Sequence, residues 1–256
     1  MTFWEHLDEL RKVLFRSAIV FFVLMTIVFL NKKFVFDTII FAPINSDFIL
    51  YDWFRALSVW LNIPSMAPEP FSLHLINIEL SSQFFTHVNV SMTLALILSV
   101  PFILYQLWIF IKPGLYEKEK KAINMAFGFA GILFFIGALV GYFFVFPMTV
   151  RFLGTYQVSE MVMNQISLKS YISMFTWLIL IMGIVFEMPA LASILSRIGI
   201  ISKSFLKKYR KHAFVFLMIL AAVITPSGDA FTMSVVGAPL YLLYEFSILI
   251  SRDINK

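Results

Sequence analysis

The sequence predicts an all-α integral membrane protein with six transmembrane helices, and three observations carry that prediction. Of the 256 residues, 60% are hydrophobic and 14% are charged, whereas soluble domains carry about 25% charged residues. Thirty of the residues are Phe, more than the interior of a soluble chain of this size would hold. Long uncharged runs stand in place of the period-two alternation of a transmembrane barrel. The same apolar content argues against intrinsic disorder.

A spanning helix needs about 20 mostly apolar residues. Segments of this kind lie at 13–30, 84–111, 122–147, 170–195, 213–225 and 230–250 of one membrane domain covering 1–256. The first reads as an uncleaved span: Glu5, Asp8 and Glu9 precede it, and Asn31-Lys32-Lys33 follows it where small residues would mark a cleavage site. The fourth and sixth each hold one acid, Glu187 and Glu245. The last two spans read as short. The thirteen residues at 213–225 rise only about 20 Å, against a hydrocarbon core of about 30 Å. Pro226-Ser227-Gly228-Asp229 then turns the chain directly into the sixth segment. The pair reads as a tight helical hairpin with a thinned bilayer around it.

With the N-terminus inside, 15 of the 20 Lys and Arg fall on the inner side, which is the positive-inside pattern. Both termini are then expected in the cytoplasm, and the large loop 31–83 outside. Pro43, Pro64, Pro68 and Pro70 prevent that loop from being a single helix. Between Asp52 and Ile63, Trp53, Leu57, Trp60 and Leu61 fall at helical spacing. That pattern fits an interfacial helix on the outer leaflet or a cap over the spans.

Cysteine is absent, so disulfides and thiolate metal sites are excluded. The four His are scattered, and no HExxH, GxSxG or Gly-rich phosphate loop occurs. No catalytic residue, metal or cofactor is expected, and the chain is not expected to be an enzyme.

Four acids invite a functional reading. Thr2 and Glu5 form a capping box that starts the first helix ahead of the membrane. On that helix Glu5, Glu9, Lys12 and Arg16 share one stripe, opposite Leu7, Leu10 and Leu14. Glu9 is either a recognition carboxylate near headgroup level or part of a locally paired surface, with Lys12 meeting Glu9 at i+3 or Asp8 at i+4. Glu119, with Glu117, stands among Lys112, Lys118, Lys120 and Lys121. That connector is either a solvated turn or a place where carboxylates meet a cationic ligand. Glu187 lies deep in the fourth segment. An ionised acid there costs roughly 3 kcal/mol or more, so it should face the protein interior or a wet cavity. Pro189 loosens the backbone beside it. Glu245, about two turns from the inner end of the sixth segment, reads as interfacial.

Several motifs agree with one family. They are His6-Leu7-Asp8-Glu9-Leu10-Arg11 before the first span, Tyr105-Gln106-Leu107-Trp108 with Phe110, and Pro113-Gly114-Leu115 followed by Glu119-Lys120-Lys121. Phe186-Glu187-Met188-Pro189, Thr225-Pro226-Ser227-Gly228-Asp229 and Pro239 through Glu245 follow in the same order. The chain resembles the TatC family, the multi-span core subunit of the bacterial twin-arginine protein translocase. The resemblance implies a concave, glove-like bundle in the bacterial cytoplasmic membrane. It implies binding of Arg-Arg signal peptides of folded precursors, assembly with TatA- and TatB-type single-span subunits and other TatC copies, and export driven by the proton-motive force. Nucleic acid has no part in it.

By motif, Glu9 and Glu119 match the carboxylates that contact the arginine pair, with His6, Phe110 and Leu115 beside them. Glu187 matches the acid within the concave face, and Thr225, Asp229 and Met233 match the partner-docking region. Met233 stands where family members often carry a polar residue, with Thr232 as a neighbouring substitute. A guanidinium pairs bidentately with a carboxylate and an ammonium does not, so two arginines call for two carboxylates. A proton-coupled small-molecule transporter using Glu187 is the alternative. It predicts repeat symmetry, which the sequence does not display, and gives the inner-side acids no role.

Overall fold

The computed structural model describes residues 3–64, 67–71, 73–114, 117–159, 161, 164–225 and 227–251, and the side chains of residues 3 and 117–126 lie outside that description. Thr2 and Leu115 are therefore outside the described residues, and Glu119 is described only in its backbone.

Apolar helices dominate, as the long uncharged runs require. The chain forms α1 (Phe3–Leu30), a single turn α2 (Lys32–Phe34), α3 (Ile49–Leu61), α4 (Ser82–Ile111), α5 (Glu117–Val140) and α6 (Phe146–Thr155). Then come α7 (Leu168–Val185), α8 (Met188–Arg197), α9 (Lys203–Lys208), α10 (Arg210–Ile224) and α11 (Ala230–Ile250). Among the described residues, five helical stretches are long and apolar enough to cross a membrane: Trp4–Leu30, Ser82–Gly114, Phe127–Thr155, Leu168–Arg197 and Ala230–Ile250. They coincide with five of the six expected segments. The exception is the expected short one: α10 has 15 residues and a rise of about 22 Å.

Packing follows chain order. α1 lies along α4, α4 along α5 and α7, α5 along α7 and α8, and α11 against both α8 and α10. The core is made of Phe134, Phe146, Tyr171, Phe175, Leu178, Met182 and Leu240, all nearly sealed from solvent. Close contact between α5 and α7 depends on glycine. A Cβ on Gly137 would meet the Met182 carbonyl oxygen at 2.5 Å, and one on Gly183 would meet the Phe134 ring at 2.8 Å.

The loop between α1 and α4 packs as a cap. Tyr51, Tyr142 and Tyr171 donate hydroxyl hydrogen bonds to the Pro147, Ile39 and Ile40 carbonyls at 3.1, 2.8 and 2.6 Å. Each bond ties a buried or half-buried tyrosine to backbone of another element and gives its hydroxyl the partner that burial demands. Two short strands, β1 (Leu75–Ile76) and β2 (Ile166–Ser167), pair in parallel and tie the loop to the start of α7. In α3, Leu50 and Tyr51 face inward, while Trp53 and Trp60 are 67% and 80% exposed. This helix therefore caps the bundle with one face, the second of the two expected arrangements, and leaves its tryptophan face exposed. α5 and α6 are joined through a π-helical turn at Gly141–Val145, so the third segment runs on beyond its expected end.

Candidate functional site

Three places hold the residues singled out by the sequence. The first is the end of the bundle that carries the N-terminus. α1 runs antiparallel along α4, so the start of one meets the finish of the other. His6 and Phe110 stack there, with ring centroids 4.2 Å apart and planes at 23°. A matching pair, Phe29 and His87, stacks at 4.0 Å at the opposite end of the same two helices. The two stacks fix the register of α1 on α4. Glu9 lies one turn along from His6, and its carboxylate accepts a hydrogen bond from Lys12 Nζ at 2.7 Å. The i+3 ion pair is thus formed. Both side chains are partly exposed, so water screens the pair and it adds little to stability. Glu119 sits in the first turn of α5, nine residues beyond Phe110 in the chain.

The second place is a helix break. Phe186 N–H donates to Met182 O at 3.1 Å, but Glu187 N–H donates to Ile184 O, also at 3.1 Å, so the last turn of α7 tightens. Pro189, in the first turn of α8, has no N–H to continue the ladder. The chain restarts where Leu191 N–H reaches Glu187 O at 3.0 Å. Glu187 stands at this joint. Its Oε1 is buried and has no hydrogen-bond partner among the described residues. Glu245 differs. Arg210 donates to its Oε2 at 2.7 Å and Tyr241 to its Oε1 at 3.1 Å, which joins α10 to α11.

The third place is the turn between α10 and α11. Thr225 is buried at the end of α10. Asp229 caps α11: its Oδ1 accepts from Thr232 N–H at 2.8 Å, and its Oδ2 accepts from the Thr232 hydroxyl at 2.6 Å and from the Ser227 hydroxyl. Burial pushes the Asp229 carboxyl up, but these donated hydrogen bonds outweigh it, and the group titrates below its ordinary value. Thr232 is fully buried and committed to this cap, so it offers no free polar group in place of Met233. Met233 is half-buried and packs against the core. A cleft of about 1010 Å³ opens beside this turn, lined by Lys169, Ser170, Ser173, Trp177, Ile224 and Ser227 among others.

The TatC family model, described as Sec-independent protein translocase protein, matches residues 5–239. The chain belongs to the TatC family. A Sec-independent protein translocase protein TatC from Blattabacterium is 41% identical over 258 residues, covering 100% of this chain and 97% of the relative. The TatC of Helicobacter pylori strain J99 is 38% identical over 81% of this chain and 82% of its own length. A crystal structure described as the twin-arginine translocase receptor TatC in DDM superposes with a TM-score of 0.74 at 32% identity, covering 96% of this chain and 99% of that one. The chain is accordingly a membrane-embedded, all-helical subunit of a Sec-independent protein translocase family, and that family is not one of classical enzymes. Among the described residues, no group of three or more His, Cys, Asp or Glu is placed to hold a metal ion.

Two features of the site escaped sequence reasoning: the His6–Phe110 contact across more than a hundred residues, and the Arg210 partner of Glu245. The first had an indirect signal, since both residues belong to the family motifs.

Proposed function

We propose that this TatC-family chain is the receptor and core subunit of a twin-arginine protein translocase. In this reading α10 is a sixth, short span and both termini are cytoplasmic. The chain binds Arg-Arg signal peptides of folded precursors at the N-terminal end of the bundle and gathers TatA- and TatB-type subunits for proton-motive-force-driven export. The observation that carries the reading is the His6–Phe110 stack, which holds the first turns of α1 against the end of α4. Glu9 comes from one side of this junction and the chain leading to Leu115 and Glu119 from the other.

The chemistry follows from the ion pair. Lys12 already supplies Glu9 with an ammonium at 2.7 Å. A lysine from a peptide would gain little by replacing it. A guanidinium presents two parallel N–H donors to the carboxylate and gains a second hydrogen bond. The surface pair is weak enough to be exchanged. Two acids, Glu9 and Glu119, then read two consecutive arginines, while the lysines around them repel other basic peptides. Glu187, whose buried Oε1 has no partner among the described residues, serves a later step than recognition. Thr225, Asp229 and Met233, with the adjoining cleft, form the docking region for single-span partners.

The test is binding of an Arg-Arg signal peptide to the detergent-purified protein, with a Lys-Lys peptide as control. Binding should favour Arg-Arg by at least about tenfold, and Glu9→Gln or Glu119→Gln should erase the preference. Equal binding of both peptides, repeated with co-expressed single-span subunits, would reject the receptor reading in favour of the Glu187-based transporter.

A further inference from the structure

A groove of about 600 Å³ runs between α4 and α5 on the half of the bundle nearest the N-terminus. Pro101 and Gly131 close its deep end, where a Cβ on Gly131 would lie 3.4 Å from the Pro101 ring. Below that contact Tyr105, Trp108 and Phe127 line it, with the Trp108 and Phe127 rings 5.2 Å apart. Gly128 also lines it, and a Cβ there would meet nothing within 4 Å, so the space it faces is groove and not protein. Lys112 stands at the other end, exposed, in the turn that follows α4.

We propose that this groove holds one phospholipid with an anionic headgroup. Its acyl chain lies in the aromatic trough, and its phosphate pairs with the Lys112 ammonium. The shape is that of an amphiphile: apolar along its length, with Lys112 as the cation that the described residues place at the mouth. From Pro101 to Lys112 is eleven residues of helix, a rise of about 16 Å, close to half the hydrocarbon thickness. The groove therefore matches one leaflet, and lysines at helix ends settle at headgroup level. The charge complementarity selects an anionic over a zwitterionic headgroup, and one lysine near the surface contributes about 1 kcal/mol, or about fivefold. Because α4 carries Ile109 on this groove and Phe110 on the His6 stack, the lipid supports the helix end from the side away from α1.

The test is native mass spectrometry of the full chain titrated with phosphatidylglycerol or phosphatidylcholine. One phosphatidylglycerol should be retained about fivefold more strongly than phosphatidylcholine. Lys112→Ala should remove the preference and Lys112→Arg should keep it. Gly128→Leu adds bulk to the trough at a position where a Cβ meets nothing within 4 Å, and should reduce retention of both lipids. Unchanged thermal midpoints would show that the variants fold. Equal retention of the two lipids by the wild-type chain would overturn the proposal. So would retention indifferent to both Lys112→Ala and Gly128→Leu, or displacement of the bound lipid by an apolar signal-peptide segment. These outcomes are independent of whether Glu9 and Glu119 select arginine.

Discussion

Glu187 and Glu245 are the same residue type in two helices of similar apolar composition, yet their surroundings are opposite. Glu245 is held by Arg210 from α10 and by Tyr241 one turn back on its own helix. Glu187 has a buried oxygen with no partner among the described residues, at a joint where α7 stops and α8 begins. An acid kept in an apolar segment carries a cost in either place. At Glu245 the cost is offset by an interhelical link that closes the hairpin of a helix too short to span alone. At Glu187 the described residues give Oε1 no partner that offsets it, which fits the proposed role in transport. Glu245 thus has a structural link that Glu187 Oε1 lacks among the described residues.

Breaking this contrast gives a graded set of outcomes. The largest is in transport. Glu187→Ala should reduce export of a twin-arginine precursor by about tenfold, within the usual range of a coupling free energy, while peptide binding holds. Export assays beside binding on the same variant decide it, and equal loss of both would remove the separate intramembrane role. Next comes stability. Glu245→Ala should lower the thermal midpoint by about 2–4 °C, the shift expected for about 1 kcal/mol in a chain of this size. Arg210→Ala should do the same, and the double variant should be no worse than either single one. Glu187→Gln should leave the midpoint unchanged, because it breaks no link.

The smallest effect is on the Asp229 cap. Its folded carboxyl titrates below the ordinary carboxylate value. The stability it contributes is therefore complete above the unfolded value of about 3.9 and is lost as the pH falls through the lower folded value. Between neutral pH and pH 5 the midpoint of wild type should not move on account of Asp229. Asp229→Asn should lose only the acid-side part of the dependence, since Asn also caps helices.

Local features were legible from the chain because they depend on neighbours in sequence. Spacing gives Lys12 two acid partners, Asp8 and Glu9, of which the structure forms the i+3 pair with Glu9; the loosened backbone beside Glu187 follows from Pro189, and the α3 helix from the spacing of Trp53 and Trp60. The shortness of α10 follows from counting apolar residues. What sequence reasoning missed depends on distant partners or on backbone irregularity. Arg210 reaches Glu245 across 35 positions, and either residue alone reads as an interfacial charge. The β1–β2 pairing joins two-residue strands too short to show a pattern. The π-helical turns at Val35–Ile40 and Gly141–Val145 carry no composition signal, although a Cβ on Gly141 would crowd Ile179 at 3.1 Å. His6 and Phe110 were each marked by motif, but their contact depends on how α1 lies along α4.

The central claim is that arginine recognition occurs at the junction of α1 and α4. Photo-crosslinking with a signal peptide that carries a reactive group beside its arginine pair tests it most directly. Adducts within residues 3–12 and 108–121, abolished when the arginines become lysines, are the predicted result. Adducts confined to the neighbourhood of Glu187 or to the cleft beside Thr225 would contradict it.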